Sequence, residues 1–210
     1  MSDHVQIRPE DLDSRAAYRL MISIVVPRPI AWVSTIGADG SFNLAPFSFA
    51  NAVCGTPPVV MFSVSGTRSG RKKDTLRNVE ETGEFVFNIC DEALAAQMNT
   101  SSGDFGYGVS EFEMAGLRLA PCVDVRAPRV ADAPASLECR LLQTIPVESN
   151  VMVLGRVLRY HVREGLIRPN GLVDTMLMRP LARLGGDEYG TIGSVFEMAR
   201  PVVEPQAIAK

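Results

Sequence analysis

Histidine and tryptophan are scarce in this 210-residue chain, which has His4 and His161 as its two imidazoles and Trp32 as its one indole. With so few imidazoles and no Gly-x-Ser-x-Gly, a Ser-His-acid hydrolase has little to be built from. Long apolar runs are missing too. No stretch approaches the ~20 residues that span a bilayer. The start, Met1-Ser2-Asp3-His4, lacks the basic-then-apolar layout of a signal peptide, so the expected location is cytoplasmic, with no membrane partner. Neither sign of charge is in excess: 21 Lys plus Arg stand against 24 Asp plus Glu, for a net charge of -3. That balance gives no protein-wide field to hold nucleic acid, so any anion site must be local.

Close cysteine pairs are also absent. Cys54, Cys90, Cys122 and Cys139 are spread too widely to clamp zinc or shuttle a disulfide, so buried, reduced thiols and no metal are expected. No Gly-x-Gly-x-x-Gly opens a dinucleotide-binding unit. The segment Gly66-Thr67-Arg68-Ser69-Gly70-Arg71-Lys72 falls one residue short of a Walker loop and lacks its Lys-Ser/Thr pair. What is present is an ordinary globular mix, 46% hydrophobic and 21% charged. It reads as one domain over residues 1–210, with an N-terminal arm to about residue 17 and an irregular C-terminal wrap over about 176–210.

Short β-rich runs separated by turn residues set the rhythm, which predicts a mainly β barrel with few short helices. An apolar run over Ile22 to Val26 precedes Pro27-Arg28-Pro29. Ile30 to Ile36 reads as a strand closed by Gly37-Ala38-Asp39-Gly40, a hairpin turn by its Asp-Gly. Val59 to Val64 and Glu84 to Cys90 read as strands buried on both faces. Residues 117–119, 137–142 and 151–162 resume the strand pattern. A two-turn helix is predicted over 75–81, capped by Asp74 or Thr75 and stopped at Gly83, and another over 92–98 capped by Asp91. Residues 101–110 lack periodicity and are predicted to be a mobile excursion.

Two segments carry chemistry. Ser65 to Thr75 packs four cations and four hydroxyls between a strand and a helix start, which suits a phosphate: hydroxyls and free amides donate to its oxygens while Lys and Arg neutralise it. The alternative is a solvated basic loop. Residues 43–51, with Asn43, Ser48 and Asn51 among Phe47 and Phe49, suit a planar heteroaromatic ring with a polar edge, or else a core stretch whose Asn residues cap turns. His161 alternates with apolar neighbours and reads either as a satisfied strand histidine or as a weak catalytic candidate.

Taken together, residues 27–35, 40–48, 57–63 and Lys73-Asp74-Thr75, followed by Pro180 to Tyr189, resemble the flavin reductase-like family of FMN-binding split β-barrels, over roughly residues 18–197. The resemblance implies a homodimer with FMN near its interface and, in many members, NADH or NADPH as electron donor. It carries flavin contacts onto Trp32, Ser34, Thr35, Asn43, Ala45, Pro46, Phe47, Ser48, Asn51 and Ser63. Phosphate contacts fall on Lys73, Asp74 and Thr75, with help from Ser65, Thr67 or Arg68. The stretch closing over the flavin falls on Gly185 and Tyr189, beside Arg183, Leu184 and Gly186. The implied function is hydride transfer from NAD(P)H and onward passage of electrons to free flavin, a partner monooxygenase or another small acceptor. A non-enzymatic carrier of the flavoredoxin kind and a flavin-dependent oxidase of a small organic substrate are the alternatives. A bound flavin performs the chemistry itself, which accounts for the missing triad and metal cluster.

Overall fold

Apolar runs separated by tight turns pair as antiparallel strands, and a computed structural model describing residues 3–66, 72–106 and 108–202 shows how they are arranged. The strands are β1 (Arg28–Pro29), β2 (Ala31–Ile36), β3 (Phe42–Phe47), β4 (Ala50–Gly55), β5 (Pro58–Ser65), β6 (Glu84–Ile89), β7 (Leu119–Ala120), β8 (Arg129–Val130), β9 (Ala135–Val147), β10 (Asn150–Val162), β11 (Leu181–Arg183) and β12 (Tyr189–Thr191). The helices are α1 (Ser14–Ile24), α2 (Asp74–Thr82), α3 (Ala95–Thr100), α4 (Glu111–Met114) and α5 (Thr175–Met178).

Seven strands form one sheet in the order β3-β2-β6-β9-β10-β5-β4, every pair antiparallel. Its two edge strands, β3 and β4, are separated in sequence only by Ser48 and Phe49. The sheet must therefore curl until its edges approach, which makes the expected mainly β barrel with a seam between β3 and β4. Phe47, Phe62 and Phe85 stack across the interior, with ring centroids 5.0 Å and 5.3 Å apart, and Leu76 and Val79 of α2 close one end. A second core of Trp32, Leu44, Met98 and Phe112 seats α3 and α4 on the outer face of β2 and β3.

The fold corrects several expectations. The run up to Val26 is no strand: α1 occupies Ser14–Ile24, started by Asp13, whose side chain accepts from the Ala16 amide at 2.8 Å. Strand β5 is enclosed on one face by Val60, Phe62 and Val64, whereas Met61 and Ser63 on its other face are only half-buried. Strand β6 is enclosed on both, as expected. Gly83 stops α2 in the left-handed region at φ 72°, as predicted, but the capping position is Lys73, with no side-chain cap. The predicted 92–98 helix is a 3-10 turn over Glu92–Leu94 that runs into α3, with Asp91 accepting from the Leu94 amide. The predicted mobile stretch begins at a buried Ser101. The C-terminal wrap contains α5 and two strands that join β1 in a small sheet ordered β1-β11-β12. Cys54 is exposed and Cys122 half-buried, so only Cys90 and Cys139 are the buried thiols expected.

Candidate functional site

Outside the seam between β3 and β4 lies a cleft with two connected chambers. The first, about 830 Å³, is walled by the 46–51 turn, by Met61, Ser63 and Ser65 of β5, by Lys73, by the 147–152 end of the β9–β10 hairpin and by α1. That volume falls within the roughly 300–1,000 Å³ of small-molecule sites. Strand alternation explains the lining: Phe62 and Val64 point into the barrel while Met61, Ser63 and Ser65 point out. The Ser63 hydroxyl accepts from the side-chain amide of Asn150 at 3.1 Å, joining two walls. Cations overlie the turn's aromatic rings, with Lys73 Nζ 5.9 Å from the Phe47 centroid and the Arg28 guanidinium 5.9 Å from that of Phe49.

The second chamber, about 1400 Å³, shares Tyr18, Ile22, Arg28, Pro46 and Ser48 with the first and extends to α3 and to the 183–189 turn. Tyr189 lies here under the Arg183 guanidinium, 4.4 Å from its ring centroid. Gly185 lines a neighbouring groove against Ser23 of α1.

The structure therefore brings together Pro46, Phe47, Ser48, Asn51, Ser63 and Lys73 from the predicted site. It does not bring Trp32, Ser34 or Thr35 to the cleft, because all three are fully buried. The Trp32 indole donates to Ser101 Oγ at 2.9 Å, and the Ser34 hydroxyl donates to the Pro128 carbonyl. Thr35 accepts from the Asn78 side-chain amide at 3.0 Å, and Asn43 donates to Thr75 Oγ1 at 2.9 Å. These two ties bolt α2 onto β2 and β3 and so fix where Lys73 stands. Thr75 is buried by that contact, while Asp74 opens the helix beside Lys73 without lining the cleft. Ala45 packs against the barrel core. Thr67 and Arg68 lie outside the described residues. Lys72, one of the loop's four cations, pairs with Glu80 of α2.

His161 lies away from both chambers. Its Nε2 is 2.5 Å from Oε1 of Glu138, a fully buried carboxylate that also accepts the amides of Val123, Asp124 and Val125 at 2.9, 2.5 and 3.1 Å. Burial opposes the charge there, but the bonds from His161, Val123 and Asp124 outweigh it and hold Glu138 below the usual glutamate range. Ligand atoms of Cys122, Glu138 and His161 fall within 4.8 Å of one another. Burial, assisted by the Glu138 carboxylate, pushes the Cys122 thiol up to about 12, and Glu138 already accepts from His161 and three amides. The strand-histidine reading is the one this geometry favours.

Sequence reasoning passed over α1, Arg28 as a lining residue, and the 147–152 wall. Asp13 as a helix cap was a readable signal for α1. Nothing local could reveal Asn150 or Met152, which reach the cleft only because β10 pairs with β5 across more than 80 residues of sequence.

A model of the flavin reductase like domain matches residues 23–179. An uncharacterised protein of Halalkalibacterium halodurans is 38% identical over 205 residues, 95% of this chain and 98% of its own length. Nitrilotriacetate monooxygenase component B from Bacillus cereus is similar in structure, with TM-score 0.89 and 33% identity over 94% of this chain and 100% of that one. The 2-nitrobenzoate 2-nitroreductase NbaA from Pseudomonas fluorescens gives TM-score 0.86 and 33% identity, over 97% and 100%.

Proposed function

The chain belongs to the flavin reductase-like domain family, and from that premise we propose that it is an FMN-dependent oxidoreductase that draws electrons from NADH or NADPH and passes them to free flavin, a partner monooxygenase or another small acceptor. The observation that carries this reading is a single cleft joining the polar-aromatic 46–51 turn to Ser63, Ser65 and Lys73. The residues fit a flavin mononucleotide. Phe49, Met61 and Met152 offer apolar faces for a ring system, and Ser48, Asn51 and Asn150 offer a polar edge. Lys73 and the amides of the first turn of α2, which have no side-chain cap, offer charge and donors for a phosphate. Thr67 and Arg68 belong to the same proposed phosphate set.

A bound flavin supplies hydride acceptance and onward electron transfer without a protein nucleophile. The chain's own work is then positioning. The turn holds the ring against β5, the Asn43–Thr75 and Thr35–Asn78 ties hold Lys73 in register with it, and apolar side chains exclude water. A homodimer is part of the proposal, supported by exposed apolar residues: Tyr18 and Val25, which line the cleft, are 52% and 58% exposed, and Val53 on edge strand β4 is 54% exposed. A second reading, direct reduction of a small organic acceptor in the cleft, is favoured by the second chamber opening from the first at Pro46 and Ser48. Among the described residues no helix is long and apolar enough to cross a membrane.

The test is spectroscopic. The purified protein is expected to carry or take up a yellow chromophore that, once released, is FMN, and its visible band is expected to bleach on anaerobic addition of NADH or NADPH. A flavin that neither nicotinamide bleaches would point to a carrier fed by another protein. A chain that takes up no flavin would overturn the proposal.

A further inference from the structure

We propose that the second chamber binds the anionic group, carboxylate or phosphate, of a small co-substrate through Arg15, Arg19, Arg28 and Arg183. Four arginines line this chamber against one carboxylate, Asp187, whose side chain is fully exposed 3.5 Å from Arg183. In a chain of net charge -3 that is a concentrated local field of the opposite sign.

The strongest single observation is Arg28. It is only 6% exposed, and its terminal nitrogens donate to the carbonyls of Ile22, Val25 and Leu184 at 2.5, 2.7 and 2.7 Å. Its Nε is buried without any partner. Carbonyl dipoles orient a guanidinium but do not neutralise it, and among the described residues no carboxylate pairs with Arg28. Burial above all lowers its proton affinity, with the Arg183 cation adding to that and Tyr18 opposing it. Arg126, Arg159, Arg163 and Arg168, by contrast, each meet a carboxylate.

Arg15 and Arg19, both exposed, add to that charge from α1. Four residues apart, they share one face of the helix, where like charges repel, and no carboxylate among the described residues pairs with either. Arg183 is held flat by Tyr189 and by its bond to the Gly186 carbonyl at 2.6 Å, which fixes a fork suited to a planar or tetrahedral anion. Since Pro46 and Ser48 wall both chambers, a ligand anchored by its anion here extends toward the first chamber. The inference rests on the oxidoreductase reading only in naming the ligand a co-substrate, since anion binding itself needs no flavin.

Two sources share this chemistry, the carboxylate of an organic acceptor and the phosphates of a nicotinamide dinucleotide, and calorimetric titration separates them. Benzoate, 2′,5′-ADP and the neutral benzamide are titrated into wild type and the double variant R15A/R19A, each with and without FMN. Saturable binding of benzoate, of 2′,5′-ADP or of both, weakening as salt rises and falling about tenfold or more in the variant, supports the site and identifies the source. The FMN affinity of the variant is expected to stay within about twofold of wild type. Three results would overturn the proposal: neither anion binding better than benzamide, undiminished binding in the variant, or an FMN affinity that falls in parallel, which would make the chamber part of the flavin site. A chain that binds anions but no flavin would refute the proposed function and leave this inference standing.

Discussion

Glu138 and Arg28 are both charged side chains taken out of water, and their surroundings differ in kind. Glu138 is enclosed by its own donors: three consecutive backbone amides and His161 occupy both carboxylate oxygens. Arg28 donates only to carbonyls and overlies the Phe49 ring, with one nitrogen unmatched and, among the described residues, no carboxylate paired with it. A buried ion whose hydrogen-bonding capacity is used up by the fold has nothing left to offer a ligand, whereas an ion held only by dipoles keeps a field that reaches into whatever cavity it borders. Arg28 borders both chambers of the cleft and Glu138 borders neither. Saturation of a charge, more than its burial, separates the framework Glu138 from Arg28 of the candidate site.

The sharpest way to break that comparison is Glu138→Ala. It strands three amides and an imidazole, so unfolding in urea should show a loss of about 3–5 kcal/mol, with Glu138→Gln, which keeps one acceptor, losing roughly 1–3 kcal/mol. A loss below about 1 kcal/mol for the alanine variant would mean that the 123–125 segment solvates its own amides. Lys73→Ala belongs to the other side of the comparison. It should leave the urea midpoint nearly unmoved while weakening FMN binding by about ten- to hundredfold, from one charge-assisted contact worth roughly 1.5–3 kcal/mol. Riboflavin, which has no phosphate, should bind wild type and variant alike. A phosphate-independent loss would remove Lys73 from the phosphate site.

The sequence exposes the two sides of this comparison unequally. Strands β2, β5 and β6 are legible because branched and aromatic residues run between unmistakable turns, and Gly40 indeed takes φ 86° at the end of the Asp-Gly hairpin, whereas β3 and the start of β4 run through the 43–51 segment expected to lie between strands. The two candidate segments stand out in the sequence because hydroxyls, amides and cations are concentrated there. Which member of such a segment faces the cleft is not legible. Trp32, Ser34 and Thr35 sit on a strand whose faces are covered by α2, α3 and the 125–130 stretch, and only long-range packing decides that all three are sealed. The missing counterion of Arg28 is equally hidden, since one of its three carbonyl partners, Leu184, lies 156 residues away. Helix α1 is obscured for a local reason: its last turn continues into Val25 and Val26, and the largely apolar run from Ile22 reads as extended chain.

The smallest expected effect sharpens the comparison most finely, because it sets Glu138 against another buried carboxylate. Glu111, 8% exposed, accepts the Leu44 amide at 2.9 Å. Burial dominates there and, with the nearby Asp74 charge, raises its proton affinity despite that bond. The two glutamates therefore pull stability in opposite directions with pH. Glu138, held low, contributes stability that is present above the ordinary glutamate value of ~4.3 and is lost as pH falls through its folded value. Glu111, held high, contributes stability that is present below ~4.3 and is lost as pH rises through its folded value. Glu111→Gln keeps an acceptor for the Leu44 amide and removes the charge. Its urea midpoint should lie above that of wild type at pH 7, by up to about 1 kcal/mol in stability, and converge on it below pH ~4. A variant less stable than wild type at neutral pH would show that the Glu111 charge is needed where it stands.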